Sequence, residues 1–557
     1  MKKIVIAVLS VLVSIAFAAE NFKNWTPTNG SLQKKNPGML KLSQQNTNIT
    51  LNGITGTNWI LFRPSPAKVA AGNTVKITIK ASGKGKLGFG YYEYHSGFNS
   101  NGTQNSWAEL TEEAKEFTAT FAIKHKNTTL VRPRFVVPAN CQAKVTEYSL
   151  KVEGEPIVQY TLTAAPDHAD HIYRKGETAK FNIKVSAAGK AVTEGTVNLV
   201  LFINGNKIEK KSFVLSPVET SYNVTLKEPG FVLLRGSFAD KNGKTLFAEE
   251  QIGSAAFSPD EIKAGKDAPA DLITYWQGEF AKLNKEVAPN FQRIAIADTP
   301  SHKQWKLICD NFGGTKTYAA ITIPKKIKGK MPMIFTVPPA GNYGFGFWKS
   351  SDAIHVTITV FDRLFPKNAD YLSFNRPVWY FYMGAQKRET YYYYKAILGM
   401  MRVMDYAMKE IPQWDGKHLA AVGRSQGGGS ALIMAALNPA IQCVSADVPA
   451  LCDHNARIAN RTPGWPQLLD RKDTKNFAAD AAYFDAANFA AFVKCPAVIS
   501  AGFFDTMCYP SSIYAAYNNL KGEKKIINQP CYGHGWGKRD TAYEQETAKL
   551  LKKTFAK

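Results

Sequence analysis

Gly423-Arg424-Ser425-Gln426-Gly427 is the segment with the clearest chemical content. A serine hydroxyl becomes a nucleophile when a neighbouring base takes its proton. G-x-S-x-G is the turn that lifts such a serine out of a strand and into the start of a helix, with glycines that let the two elements pack closely. The helix N-terminus then favours the negative charge that develops in acyl transfer. The partners are expected in the order acid, then histidine. Asp505 in Gly502-Phe-Phe-Asp505 and His534 in Tyr532-Gly-His534-Gly535 satisfy that order, each just past an expected strand. The other histidines of this half (302, 355, 418 and 454) lack the combination. Asp447 and Asp453 come too early in the chain, so structural roles are expected for both.

An oxyanion hole needs the N–H of the residue after the nucleophile, Gln426, and one from the loop after an earlier strand. Val337-Pro338-Pro339-Ala340-Gly341 is that loop. Proline has no N–H to donate, so the preferred donor is Ala340 over Gly341. Arg424, Phe345 and Trp348 are candidates for the substrate edge. Cys508 and Cys531 each lie three residues from a proposed triad member; buried thiols are the simple expectation, a disulfide bracing the triad the alternative. This chemistry calls for no metal and no cofactor.

The elements that must position these groups are legible in the periodicity. From Leu272 through Tyr275, Trp276, Phe280 and Leu283, apolar residues recur at three and four, which predicts a helix. Strands are expected at Pro332–Val337, Leu419–Val422, Val444–Val448, Pro496–Ser500 and Lys525–Asn528, alternating with helices at Tyr392–Lys409 and from Gln426 to about Leu437. Such alternation predicts a mainly parallel sheet covered on both faces, over residues 256–557. Upstream the period is two. Residues 19–155 read as a β-sandwich and residues 156–255, with the hairpin signal Asn204-Gly205, as a smaller Ig-like one. Tyr91, Tyr92, Tyr94, Trp59 and Trp107 could stack sugar rings in the first module or alternate into its core. A spacer role is expected for the second.

Lys2 and Lys3 precede the apolar run Ile4–Phe17, which ends in Ala16-Phe17-Ala18. This predicts a leader over residues 1–18, cleaved after Ala18, and a secreted or periplasmic protein. No later segment approaches the about 20 apolar residues of a membrane span. The chain of 557 residues carries 69 Lys+Arg against 45 Asp+Glu, a net +24. The excess is spread evenly, with 29 basic and 19 acidic residues in 19–255 and 38 and 26 in 256–557. No basic helix or nucleic-acid module accompanies it, so no nucleic-acid partner is expected. A basic surface with Arg424 beside the expected nucleophile suits polymers bearing uronate or sulfate. Seven scattered cysteines without a C-x-x-C pair do not make a disulfide framework.

At these residues the chain resembles the acetyl-xylan esterase/cephalosporin-C deacetylase family of α/β-hydrolases. Ser425-Gln-Gly-Gly-Gly429 and Ala446-Asp-Val-Pro-Ala-Leu-Cys452 carry the likeness. So do Tyr483-Phe-Asp-Ala-Ala-Asn-Phe489, Ser511-Ser-Ile-Tyr-Ala-Ala-Tyr-Asn518, Tyr392-Tyr-Tyr-Lys395 and Pro269-Ala-Asp-Leu-Ile-Thr-Tyr-Trp276. Pro166-Asp-His-Ala-Asp-His-Ile-Tyr173 and Glu228-Pro-Gly-Phe231 resemble the upstream domain of longer members. The resemblance implies deacetylation of xylan, xylo-oligosaccharides or similar acetyl esters, with Ser425 as nucleophile, His534 as general base and acid, and Asp505 orienting it. Three departures bear on the substrate: Arg424 where the family has a small residue, Pro-Pro-Ala-Gly in place of a His-Gly oxyanion loop, and Met400 where it has an acid. The family builds rings from the bare hydrolase domain, and two added modules stand against that packing, so oligomeric state stays open. The expectation is an exported serine carbohydrate esterase acting on acetylated oligo- or polysaccharides. The alternatives are another hydrolase activity, such as a peptidase, and a polysaccharide-binding protein with an inactive hydrolase domain.

Overall fold

The computed structural model describes residues 15–16, 26–27, 40–45, 48–54, 57–63, 67–95, 99–123, 125, 128–154, 160–187, 189–215, 220–327, 329–340, 346–360 and 380–556. The expected leader, apart from Ile15–Ala16, and the expected substrate-edge residue Phe345 lie outside the described residues. The chain divides into two compact units, residues 1–159 and 160–557. Among the described residues, no helix is long and apolar enough to cross a membrane.

In the first unit two antiparallel sheets share one core. Val75, Ile77 and Ile79 of strand Thr74–Lys84 line it from one sheet, and Phe89 and Tyr91 of strand Lys86–His95 from the other, as period-two alternation requires. That alternation divides the expected aromatic platform. Tyr91 is fully buried, edge-on to Phe121, and its hydroxyl accepts a hydrogen bond from Gln104 Nε2 at 3.0 Å. Tyr94 is also buried, and its ring stacks on that of Tyr92 at 5.9 Å. Trp107 is 48% exposed, and the side chain of Trp59 lies outside the described residues.

The second unit opens with two further sheets over residues 160–257, which enclose a core of their own. Instead of standing off as a spacer, they dock on the C-terminal half. The turn Asn204-Gly205, at φ 50° and 80°, joins strands Thr196–Ile203 and Asn206–Val214. Asn204 O accepts from Thr462 N at 2.9 Å, and a Cβ at Gly205 would stand 2.6 Å from Thr462 and Tyr509. Phe231 lies 5.0 Å from Phe503 and 5.4 Å from Tyr514, inside the larger core.

That larger core surrounds a nine-stranded sheet: β1 Gln292–Ile296, β2 His302–Asp310, β3 Lys316–Pro324, β4 Met331–Val337, β5 Ile354–Ile358, β6 Trp414–Arg424, β7 Cys443–Asp447, β8 Ala497–Gly502 and β9 Lys524–Gln529. Their order is β1-β2-β3-β5-β4-β6-β7-β8-β9, antiparallel as far as β5 and parallel beyond it. Helices α1 Leu272–Glu286, α2 Tyr392–Glu410, α3 Gln426–Leu437, α4 Pro510–Asn519 and α5 Ala542–Phe555 cover it. All of α3 except Ala436 is buried, which is why its sequence is small and apolar on every side. Arg402 of α2 is 2% exposed and donates to Leu283 O and Val287 O at the C-terminal end of α1, where a cation suits the helix dipole.

One consequence concerns acid stability. Burial, against weaker support from Asp352, pulls His355 on β5 down to about 4, while the unfolded imidazole titrates near 6.5. Its contribution is present above 6.5 and lost as pH falls toward 4, because only the unfolded chain takes up the proton readily. The stability difference between the protein and His355→Gln should therefore change by about 1.4 kcal/mol per pH unit across that interval. Urea midpoints at matched pH measure it, and a pH-independent difference would refute the assignment.

Candidate active site

Ser425 sits between β6 and α3 with φ 54° and ψ −122°, a backbone region costly for a residue with a Cβ. Its surroundings fix it there. Ser425 N donates to Asp447 O at 2.8 Å, and Ser425 O accepts from Gly429 N at 3.1 Å and Ala450 N at 2.9 Å. The glycines are required by space. A Cβ at Gly423 would lie 2.1 Å from Gly427 O, one at Gly427 1.9 Å from Val337 O, and one at Gly429 2.1 Å from Ala450 O. Strand, helix and the loop after β4 meet backbone to backbone around the serine.

The loops after β8 and β9 bring the acid and the imidazole to it. His534 Nε2 lies 2.8 Å from Ser425 Oγ, and His534 Nδ1 lies 2.7 Å from Asp505 Oδ2. The other oxygen, Asp505 Oδ1, accepts from Met507 N at 2.8 Å and Cys508 N at 2.9 Å. The two loops are joined by Phe504 N donating to Tyr532 O at 3.1 Å, and a Cβ at Gly502 would lie 2.4 Å from that same carbonyl. His534 occupies a tight turn closed by Gly533 N donating to Trp536 O at 2.8 Å, with the Trp536 ring over Gly533. Such a chain can pass a proton from hydroxyl to imidazole and stabilise the imidazolium that results.

Arg424 is engaged rather than projecting unpaired from the edge. Its guanidinium donates to Asp447 Oδ2 at 2.7 Å, Tyr532 Oη at 2.9 Å and His534 O at 2.9 Å. Arg539 also donates to Asp447 Oδ2, at 3.0 Å, and Ser500 Oγ to Asp447 Oδ1. Burial works against the charge of Arg424, and Asp447 with Tyr532 outweighs it, holding the group above its ordinary pKa. Asp447, read from sequence as structural, thus ties β6 to the loop that carries His534.

Gln426 contributes more than a backbone N–H. Its Oε1 accepts from Tyr393 Oη at 2.7 Å and from Tyr380 Oη, and its Nε2 donates to Pro338 O at 3.2 Å. This side chain fastens the proline loop, with Ala340 two residues on, against the start of α3. The sequence held a signal for Tyr393 in the motif Tyr392-Tyr-Tyr-Lys395; Tyr380 carried none. Trp348 is 57% exposed, and Met507 and Trp536, two residues beyond Asp505 and His534, are 42% and 40% exposed.

Cys508 and Cys531 are both free thiols, the first buried and the second exposed, so the bracing disulfide is not formed. Burial and then Asp505 push the Cys508 thiol well above its ordinary pKa. Asp505, Cys508 and His534 bring ligand-type atoms within 4.8 Å of one another. Both ring nitrogens are committed to Asp505 and Ser425, and the thiol is held protonated, so the set is unsuited to a metal.

The family model described as acetyl xylan esterase (AXE1) matches residues 259–553. Acetyl esterase Axe7A of Xylanibacter ruminicola is 26% identical over 406 residues, covering 69% of this chain and 89% of that protein. Acetyl xylan esterase 1 from Thermoanaerobacterium sp. JW/SL YS485 is similar in structure, with TM-score 0.44, 20% identity, and coverage of 53% of this chain and 98% of that one. An acetyl xylan esterase from Paenibacillus sp. R4 gives TM-score 0.45 and 23% identity over the same shares.

The thiols allow a direct check of the packing. A thiol reagent on the folded protein should react fastest at exposed Cys531, and all seven cysteines should titrate once it is denatured without reductant. Five thiols in the denatured, unreduced protein would mean that a disulfide has formed.

Proposed function

The chain belongs to the acetyl xylan esterase family and is a carbohydrate esterase, and we propose that it removes O-acetyl groups from xylan, xylo-oligosaccharides or related saccharides by serine acyl transfer. One observation carries the reading: an unbroken hydrogen-bond chain from Asp505 through His534 to Ser425, at 2.7 and 2.8 Å, on a strained elbow at a helix start.

In the proposed mechanism His534 Nε2 takes the Ser425 proton as Oγ attacks the acetyl carbonyl. The tetrahedral oxyanion is met by the N–H groups of Gln426 and Ala340. As it collapses, the imidazolium protonates the sugar oxygen, the C–O bond to the sugar breaks, and an acetyl-serine remains. Water, deprotonated by His534, attacks that ester; acetate departs and Ser425 recovers its proton. Asp505 holds the imidazole in the tautomer this requires. Arg424 is a positioning residue that fixes the histidine loop through the His534 carbonyl. Exposed Trp536 and Met507 offer an apolar rim for the sugar leaving group. Two β-sandwich modules, residues 19–155 and 156–255, would precede the hydrolase domain. Lys2, Lys3 and the run Ile4–Phe17 support export.

Ser425→Ala should lower kcat for p-nitrophenyl acetate by about 10⁴-fold or more, and hydrolysis near the parent rate would sink the reading. Acetate release should be greater from acetylated xylan than from acetylated mannan or pectin; peptide cleavage instead would favour a peptidase. Arg424→Met should lower kcat about tenfold or more with little change in KM, and Arg424→Lys should recover part of it. A loss of stability with kcat per folded molecule unchanged would mean that Arg424 is merely structural.

A further inference from the structure

A cavity of about 310 Å³ lies where the sheets of residues 160–257 meet the loop after β8. Phe202, Phe231 and Arg235 border it from the upstream sheets, and Asp505, Tyr509 and Ser511 from the hydrolase half. The triad uses only Asp505 of this set, and Ser425 and His534 do not line the cavity.

Its chemistry is mixed in a specific way. Phe202, Phe231 and Tyr509 supply apolar ring surface, while Asn204, Gln251 and Thr506 supply amide and hydroxyl groups. Gln251 and Arg235 are cross-strand partners, so both project from one patch of sheet. Ser511, in the first turn of α4, is 1% exposed, and its Oγ has no hydrogen-bond partner among the described residues. A buried hydroxyl left unpaired is costly, and one at the edge of a cavity is ready for a ligand group. The charges balance rather than accumulate. Arg235 Nε lies 3.3 Å from Glu249 Oε1, and the remaining charged group at the wall is Asp505. No uncompensated cation is offered, which disfavours a carboxylate or sulfate. The volume stands at the small end of the about 300–1,000 Å³ typical of small-molecule sites.

We propose that this cavity is a saccharide subsite that takes one neutral sugar unit, its C–H faces against the aromatic rings and its hydroxyls toward Ser511, Asn204 and Gln251. The proposal extends the carbohydrate esterase reading by a second point of grip, separate from Ser425. It also gives the upstream sheets a role in binding that a spacer would not have.

Calorimetric titration with unacetylated xylobiose tests it, with glucuronate as the anionic probe. The parent protein and Ser425→Ala should both bind xylobiose saturably. Gln251→Trp, which fills the cavity, should weaken that binding about tenfold or more while p-nitrophenyl acetate hydrolysis stays within about twofold. Ser511→Ala should weaken it less, and serves if Gln251→Trp does not fold. Xylobiose binding that is absent, or unchanged in both cavity variants, overturns the proposal, as does tighter binding of glucuronate. Cavity-dependent xylobiose binding in a protein without esterase activity would uphold this site and sink the catalytic reading.

Discussion

The backbone of Ser425 is held where a side-chain-bearing residue rests only under compulsion, and the surrounding architecture supplies that compulsion. Its N–H is tied to Asp447 O and its carbonyl to Gly429 and Ala450. Those bonds exist only if α3 lies almost against β6 and the loops after β4 and β7, which the bare backbones of Gly423, Gly427 and Gly429 permit. A side chain at any of the three would push the helix away and release the elbow. Buried α3, with its small and apolar sequence, is therefore a condition of the backbone geometry at Ser425 and not simply part of the core.

Asp447 carries this constraint outward. Its carbonyl holds the serine, one carboxylate oxygen takes Ser500 of β8, and the other takes Arg424 and Arg539. Arg424 continues to Tyr532 and the His534 carbonyl. The serine, acid and histidine come from three different loops, so their relative placement depends on bonds running between loops. Bonds to a charged partner are the stronger kind, and burial strengthens them further. A small residue at 424 would leave the histidine loop without this link to β6.

Much of this was legible in the sequence, because it rests on local signals. The elbow announces itself in five residues, the parallel strands in short apolar runs, and the order acid then histidine in chain position. What escaped depends on where separate elements meet. Nothing near Arg424 indicates that its partner lies on the next strand and its target on a loop 110 residues away. The side chain of Gln426 could not be assigned to Tyr380 and Tyr393, since it bonds across the gap between two helices and a loop. Tyr91 and Tyr92 are adjacent and chemically alike, yet strand parity alone sends Tyr91 into the core. The docking of residues 160–257 is likewise a matter of surfaces: Asn204-Gly205 reads as a hairpin turn, and only the fold places it against Thr462 and Tyr509.

The basic excess illustrates the same limit. Counted along the chain it suggests a field that would draw in anionic polymers. Several arginines of residues 256–557 are already paired within the protein. Arg424 and Arg539 share Asp447, buried Arg461 is paired with Asp453 at 2.8 Å, and Arg402 serves helix carbonyls. A guanidinium with its charge-assisted bonds satisfied and its position fixed contributes little to steering a substrate, because the opposite charge lies within a few ångströms. Arg424 and Arg539 thus act as fasteners between the elements of the site. Substrate preference would then be set by shape and hydroxyl recognition at the aromatic rim and the neutral cavity, and the net charge by itself is a poor guide to it.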